Sequence, residues 1–244
     1  ADAVSRIGTA DVWAATVNVD VDTIDGTPSA VMDSDDIALI LCTSGSTRRP
    51  KLVQQSHRAL ISQGLASGVG LGLHRDDVSL NWMPLDHVGA LVMFHLRDIQ
   101  LQCQQIHVEK EFILAEPLRW LELIDRYRVS VTWAPNFAFA LLNARTERSP
   151  QLAFDLSSLR FIISGGEAVI AEVAQHFLAL HAPLGLRPEA FRPAWGMSET
   201  CSLTLVNSHV SGATSCGGAT MAVGWPVAGL SVRITDADGA VVKA

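Results

Sequence analysis

The chain is poor in the features that mark several large protein classes. Its 244 residues hold four cysteines, Cys42, Cys103, Cys201 and Cys216, and no two stand in a C-x-x-C pair. That argues against a disulfide framework or a zinc ribbon, and predicts reduced, mostly buried thiols in a cytoplasmic protein. No apolar run approaches the ~20 residues of a membrane-spanning helix, so no membrane partner is expected. The first residues carry no charged-then-apolar leader, so no signal peptide is read there. Basic charge is scarce too: 18 Lys and Arg stand against 25 Asp and Glu, a net charge of −7. Nucleic-acid binding, which wants a basic face, is disfavoured. Internal repeats and low-complexity linkers are absent.

What is present is apolar material. Hydrophobic residues make up 48% of the chain, enough for a sizeable core, and nothing in the composition suggests disorder. The chain starts without Met and stops at "VRITDADGAVVKA", a strand pattern with a D-G turn, so it reads as a piece of a longer polypeptide.

Short β-rich runs alternate with helical patterns, which predicts an α/β fold with mostly parallel sheets flanked by helices. The clearest strand runs are 36–43, 77–82, 103–108, 129–134, 159–165, 202–207 and 230–236. Helical patterns cover 56–71, opening on Ser56 as a cap, then 116–128, 136–148 and 168–182. Residues 1–204 are expected to form the nucleotide- and substrate-binding core, and 205–244, richer in Gly and β-formers, the start of a small β subdomain.

Four stretches carry chemistry. "TSGSTRRPK" (43–51) follows an apolar strand. Its turn amides and hydroxyls can nest anionic oxygens, and Lys51 adds a point charge for phosphate. It lacks the second glycine and the trailing hydroxyl of a Walker loop; a bare "TSGST" would equally be a surface turn. "PLDH" (84–87) sets Asp86 and His87 where a strand ends, the place α/β sheets present ligand-contacting groups. A capping Asp beside a half-buried His is the plain alternative, and with no G-x-S-x-G elbow a hydrolase triad is disfavoured. "SGGEAV" (164–169) brings a Gly pair, which allows close backbone approach to a flat ligand, and Glu167, expected in the first turn of a helix. "WGMSET" (195–200) offers Trp195 to stack on a purine, Ser198 to donate to phosphate and Glu199 to hold magnesium.

In this order and spacing the stretches resemble the adenylate-forming (AMP-binding) superfamily, which includes acyl- and aryl-CoA synthetases and the adenylation domains of nonribosomal peptide synthetases. A fifth stretch, "VGWPVAGLSVRI" (223–234), is similar to the family's following G-x-P strand. The resemblance spans the chain from about residue 33 onward. It implies the large N-terminal subdomain of such an enzyme, with ATP and Mg2+ bound and a carboxylic acid activated as its acyl-adenylate. The acyl group would then pass to a thiol, on coenzyme A or on the phosphopantetheine of a carrier-protein domain.

By matched position, Thr43, Ser44, Gly45, Ser46 and Thr47 bind phosphate. Gly165, Gly166, Glu167, Trp195 and Gly196 line nucleotide and substrate. Lys51, Ser198 and Glu199 carry catalysis, with Glu199 on the metal, and Asp86, His87 and Met197 face the acid.

Three departures qualify this. The family's glycines are replaced by Arg48 and Leu52. His87, not Asp86, falls where amino-acid-activating members place their ammonium-binding Asp, which favours an acid without an α-amino group. The family's ribose-binding Asp and catalytic Lys lie past residue 244, so residues 1–244 alone are expected to be poorly competent. A nonribosomal peptide or polyketide loading module is the favoured setting. A stand-alone acyl- or aryl-CoA ligase and an inactive ATP-binding scaffold are the alternatives.

Overall fold

A strand with helices on both its faces is apolar at successive positions rather than alternate ones. Val131–Ala134, buried along its whole length, is such a strand. The computed structural model describes residues 32–43, 51–149, 151–207 and 219–242, and the backbone alone of 3–6 and 13–16. Its strands are β1 (Ala3–Arg6), β2 (Trp13–Thr16), β3 (Ile37–Thr43), β4 (Lys51–Ser56), β5 (Val78–Asn81), β6 (Gln104–His107), β7 (Val131–Ala134), β8 (Phe161–Ser164), β9 (Phe191–Met197), β10 (Ser202–Val206) and β11 (Trp225–Pro226). The helices are α1 (His57–Leu71), α2 (Arg97–Leu101), α3 (Lys110–Ala115), α4 (Leu118–Tyr127), α5 (Asn136–Glu147) and α6 (Ala171–His181). A π-helical segment, Gly89–Leu96, leads into α2.

Seven strands form one sheet in the order β11-β10-β9-β8-β7-β5-β6. β6, β5, β7, β8 and β9 run parallel, while β10 is antiparallel to both β9 and β11. The expected mostly parallel α/β architecture is therefore present, as a mixed sheet. β3 and β4 form a separate antiparallel hairpin, as do β1 and β2. On one face of the sheet Leu80, Ile162 and Phe191 pack with Trp120, Phe139 and Phe177 from α4, α5 and α6. On the other, Val131, Trp133, Ile163 and Leu203 pack with Leu71 of α1 and Met93 and Phe94 of the π-helical segment. Neighbours such as Ile162 and Ile163 thus feed opposite cores, as the strand period of two requires.

Several local expectations are corrected. Residues 51–56, absent from the expected strand runs, form β4. The "PAWGM" stretch, also absent from those runs, is the second half of β9. The strand expected at 230–236 does not form: a strand needs a partner, and here only Thr235 bridges, to Val241. Glu167 is not in the first turn of a helix, since α6 starts at Ala171. Among the described cysteines only Cys201 is buried; Cys42 is exposed and Cys103 half-buried, so "mostly buried" fails, and Cys216 lies outside the described residues. The division drawn at residue 204 falls inside β10, and β11 joins the same sheet. Among the described residues no helix is long and apolar enough to cross a membrane.

Candidate functional site

The chain passes from β5 to β6 on one side and returns to β7 on the other, so the strand order reverses at β5. Ligands of open α/β sheets bind at the carboxyl ends of strands beside such a reversal. A cleft enclosing about 360 Å³ opens there, walled by His87, Gly89, Met93, Trp133, Ile163, Ala194 and Leu203, and reaching Gly165, Trp195 and Gly196. No Asp or Glu is among its lining residues.

His87 stands at this cleft with its ring tilted over Trp133, centroids 5.6 Å apart. The Gly89 amide donates to His87 Nδ1 at 3.0 Å. Nδ1 therefore carries no proton, and the neutral ring holds its proton on Nε2. Burial pushes the imidazole below its ordinary value, against the opposing charge of Asp86. His87 is thus a neutral N–H donor. Asp86 itself is exposed and does not line the cleft.

A second hollow, about 780 Å³, adjoins the first across Gly166, Ala194, Trp195 and Gly196. Its walls are Glu167–Val169 on one side and Thr220, Met221 and Val223 on the other. The Met221 amide donates to the Val169 carbonyl at 2.8 Å and the Ala171 amide to that of Ala219 at 2.9 Å, strapping the two walls together. Gly166 adopts φ +87, a conformation side chains rarely take, which is why glycine stands there. Glu167 Oε1 accepts from the Phe137 amide at 2.7 Å, and Asn136 Oδ1 from the Ile170 amide at 2.9 Å. The carboxylate thus complements the N-terminus of α5 instead of α6. This reciprocal pair fixes the Gly-Gly turn to α5.

Trp195 lies in β9, opposite Leu205, and is 43% exposed, so an indole face is open to a ligand. At Gly196 a Cβ would lie 2.1 Å from the Ser202 carbonyl oxygen, so no larger residue fits this closely paired strand end. Ser198 and Glu199 follow in one 3-10 turn, Ser198 half-buried and Glu199 exposed. Cys201 and Ser202 then take φ +61 and +98, a strained reversal that sends the chain straight back as β10. Met197 is 37% exposed and is not a wall of the acid-side cleft.

Thr43 and Lys51 pair at the loop end of the β3–β4 hairpin, so both flank the phosphate-loop stretch. Ser44, Gly45, Ser46, Thr47 and Arg48 lie outside the described residues. Leu52, one of the two departures, sits in β4 opposite Cys42 and is 70% exposed; its side chain meets no barrier there. Gln55 Nε2 donates to the Ser198 carbonyl at 2.6 Å, tying the hairpin to the turn that carries Glu199. Leu41, Val88, Val92 and Cys201 form a small core beneath these parts. The hairpin, the "PLDH" stretch and the "WGMSET" stretch thus meet, and the "GGE" stretch joins them through the shared cleft walls.

Gln55, Gln63 (which donates to the Leu203 carbonyl at 2.7 Å), Trp133 and the 220–223 wall escaped sequence reasoning. Each acts across a long sequence separation. Only Trp133, an aromatic at the end of an apolar strand run, left a usable signal.

An atromentin synthetase of Paxillus involutus is 35% identical over 213 residues, 85% of this chain and 22% of that protein. The solved structure of McyG A-PCP complexed with phenylalanyl-adenylate superposes with a TM-score of 0.85 at 37% identity, covering 88% of this chain and 34% of that one. The adenylation domain of a keto acid-selecting NRPS module bound to keto acyl adenylate gives 0.81 at 33% identity, covering 88% and 43%. The chain spans less than half the length of each of these relatives. Residues 3–244 match the AMP-binding enzyme family along their whole length, and the chain belongs to that family.

Proposed function

We propose that this chain is the nucleotide- and acid-binding part of an adenylation enzyme that activates a carboxylic acid lacking an α-amino group. The acceptor of the acyl group is a thiol, on a carrier-protein domain or on coenzyme A, in a nonribosomal peptide or polyketide loading module.

One observation carries the substrate reading: among the described residues the cleft beside His87 is walled mostly by apolar side chains, and no carboxylate lines it. An ammonium buried there would lack a counter-charge, which is costly in a low-dielectric site. The neutral His87 Nε2–H instead suits an acceptor such as a keto, hydroxyl or ether oxygen. The keto acyl adenylate bound by one similar structure fits this chemistry. The phenylalanyl-adenylate of another supports the rival, an amino acid, and Asp86 is then the group that would have to turn inward.

The larger hollow suits a nucleotide, with Gly166 admitting a flat base close to backbone and Trp195 offering its ring. Thr43 and Lys51 flank the phosphate-loop stretch, where Lys51 spreads charge from the pyrophosphate leaving group. Among the described residues no three His, Cys, Asp or Glu side chains cluster to hold a metal. Glu199 would therefore be a single carboxylate for Mg2+, with substrate phosphates and water as its other partners, as Mg2+ commonly binds. Such an ion would supply charge neutralisation to the phosphates; Glu199 would hold it and Ser198 would donate to a phosphate oxygen.

The test is acid-dependent ATP–pyrophosphate exchange by the full-length protein with keto, hydroxy, aryl, fatty and amino acids. Exchange with one of the first four supports the proposal. An amino acid as best substrate refutes the reading of His87, and ATP binding without exchange for any acid favours the scaffold alternative.

A further inference from the structure

Behind the acid-side cleft lies a polar chain that the site so far described does not use. Trp133, the wall on which His87 rests, is 2% exposed, and its indole N–H donates to Asn81 Oδ1 at 2.8 Å. Asn81, 1% exposed, sits at the end of β5, the strand at which the sheet order reverses. Its Oδ1 also accepts from the Met83 amide at 3.3 Å. Its Nδ2 donates to the Met83 carbonyl at 2.9 Å and faces His107 Nδ1 at 3.3 Å.

The tautomers along the chain follow from the ends. Gln105 Nε2 donates to the His95 carbonyl, so Gln105 Oε1 is an acceptor. Both His95 Nδ1 at 2.8 Å and His107 Nε2 at 2.9 Å point at that oxygen and must carry protons. Neutral His107 therefore has a bare Nδ1, and that is the atom receiving the Asn81 N–H. A second proton on His107 has only Nδ1 to go to, where it meets the Asn81 NH2 group. The amide relieves this by turning over. Its NH2 then faces two donors, the Trp133 indole N–H and the Met83 amide, and the anchor of Trp133 is lost.

We propose that Asn81 and His107 are positioning residues for acid binding: they hold Trp133, and through it His87, and a proton on His107 releases that hold. The inference deepens the proposed function and rests on it for its substrate consequence. Groups facing His107 are Asn81 from β5, Gln105 from its own strand and His95, its ring 5.3 Å away, from the π-helical segment. Asp98 of α2 acts on it through space, and Glu109, Lys110 and Glu111 share the open cleft beside it. Burial and His95 lower its protonation and Asp98 raises it, with the net effect downward. Release therefore belongs to pH below about 6.5, the ordinary histidine value.

Two measurements test this. The first labels the six tryptophans with 5-fluorotryptophan and follows them by fluorine NMR, assigning Trp133 from Trp133→Phe. Asn81→Leu should move the Trp133 resonance and leave most others in place. On acidification the wild-type resonance should shift, and in His107→Gln, where an amide oxygen can still accept from Asn81, it should not. A Trp133 resonance indifferent to Asn81→Leu, or shifting equally with pH in His107→Gln, overturns the positioning claim whatever the reaction.

The second measures pyrophosphate exchange in the full-length protein. Asn81→Leu should raise KM for the acid about tenfold with KM for ATP within about twofold. Equal rises for acid and ATP refute the selective role. Absence of exchange in wild type removes the adenylation reading and leaves the fluorine result to decide the positioning.

Discussion

Gln55 joins the hairpin that carries the phosphate-loop stretch to the turn that carries Glu199, through one hydrogen bond of 2.6 Å to the Ser198 carbonyl. Gln55→Met keeps the length and apolar stem of this 5%-exposed side chain and removes the donor. Leaving a buried carbonyl wholly unpaired would cost ~1–3 kcal/mol. The Ser198 carbonyl, however, also accepts from the Cys201 amide at 3.1 Å, so the low end applies, about 1 kcal/mol. In a domain of roughly 150–250 residues that lowers Tm by roughly 2–4 °C, and by less in a larger cooperative unit. Function should suffer more than stability, because small misplacement of a reacting group can cost on the order of 100-fold in rate. A thermal melt and acid-dependent pyrophosphate exchange, both on the full-length variant, check the two numbers. Exchange at the wild-type rate, with or without the Tm change, would refute the idea that this bond aligns the hairpin with the Glu199 turn.

Three other outcomes are expected. Gly196→Ala sets a methyl 2.1 Å from the Ser202 carbonyl oxygen, so β9 and β10 must part; a loss of ~1–3 kcal/mol in chemical denaturation is expected, and unchanged stability would contradict the strand pairing. Glu199→Gln in the full-length protein should raise the magnesium demand and cut exchange sharply, and an unchanged rate would show that Glu199 has another role. Fully buried His181 donates from Nδ1 to the Phe177 carbonyl, faces Thr146 Oγ1 with Nε2, and is held below its ordinary value by burial. The unfolded chain then binds the extra proton first, so stability is intact above about pH 6.5 and falls below it, by at most ~1.4 kcal/mol per pH unit for one proton. His87 and His107 add in the same sense. Denaturation midpoints at pH 7.5 and 5.5 should show a smaller drop in His181→Gln; an equal drop would place the proton elsewhere.

The parallel strands were legible because burial on both faces makes runs such as "VTWA" and "FIIS" apolar without alternation. α1 was legible from its cap, where Ser56 Oγ accepts from the Ala59 amide. β9 was not, because Pro193 and Gly196 look like breakers, yet β9 lies inside the sheet between β8 and β10. β4 was hidden by its polar, half-exposed "KLVQQS", and the 230–236 pattern misled because alternation states a preference and cannot supply a partner strand. The order of motifs gave the main parts of the site. It did not give Asn81, Gln55 or the 220–223 wall, whose roles rest on contacts far apart in sequence. Glu167 shows the same limit: its dipole-complementing role was foreseeable, but the helix it serves is α5.

The central claim is that the two adjoining clefts take ATP and an acid without an α-amino group. Pyrophosphate exchange by the full-length protein, run with each keto, hydroxy, aryl or fatty acid beside its α-amino counterpart, tests it most directly. The account predicts exchange with one of the former and little with its amino partner. Exchange led by the amino acid would contradict it.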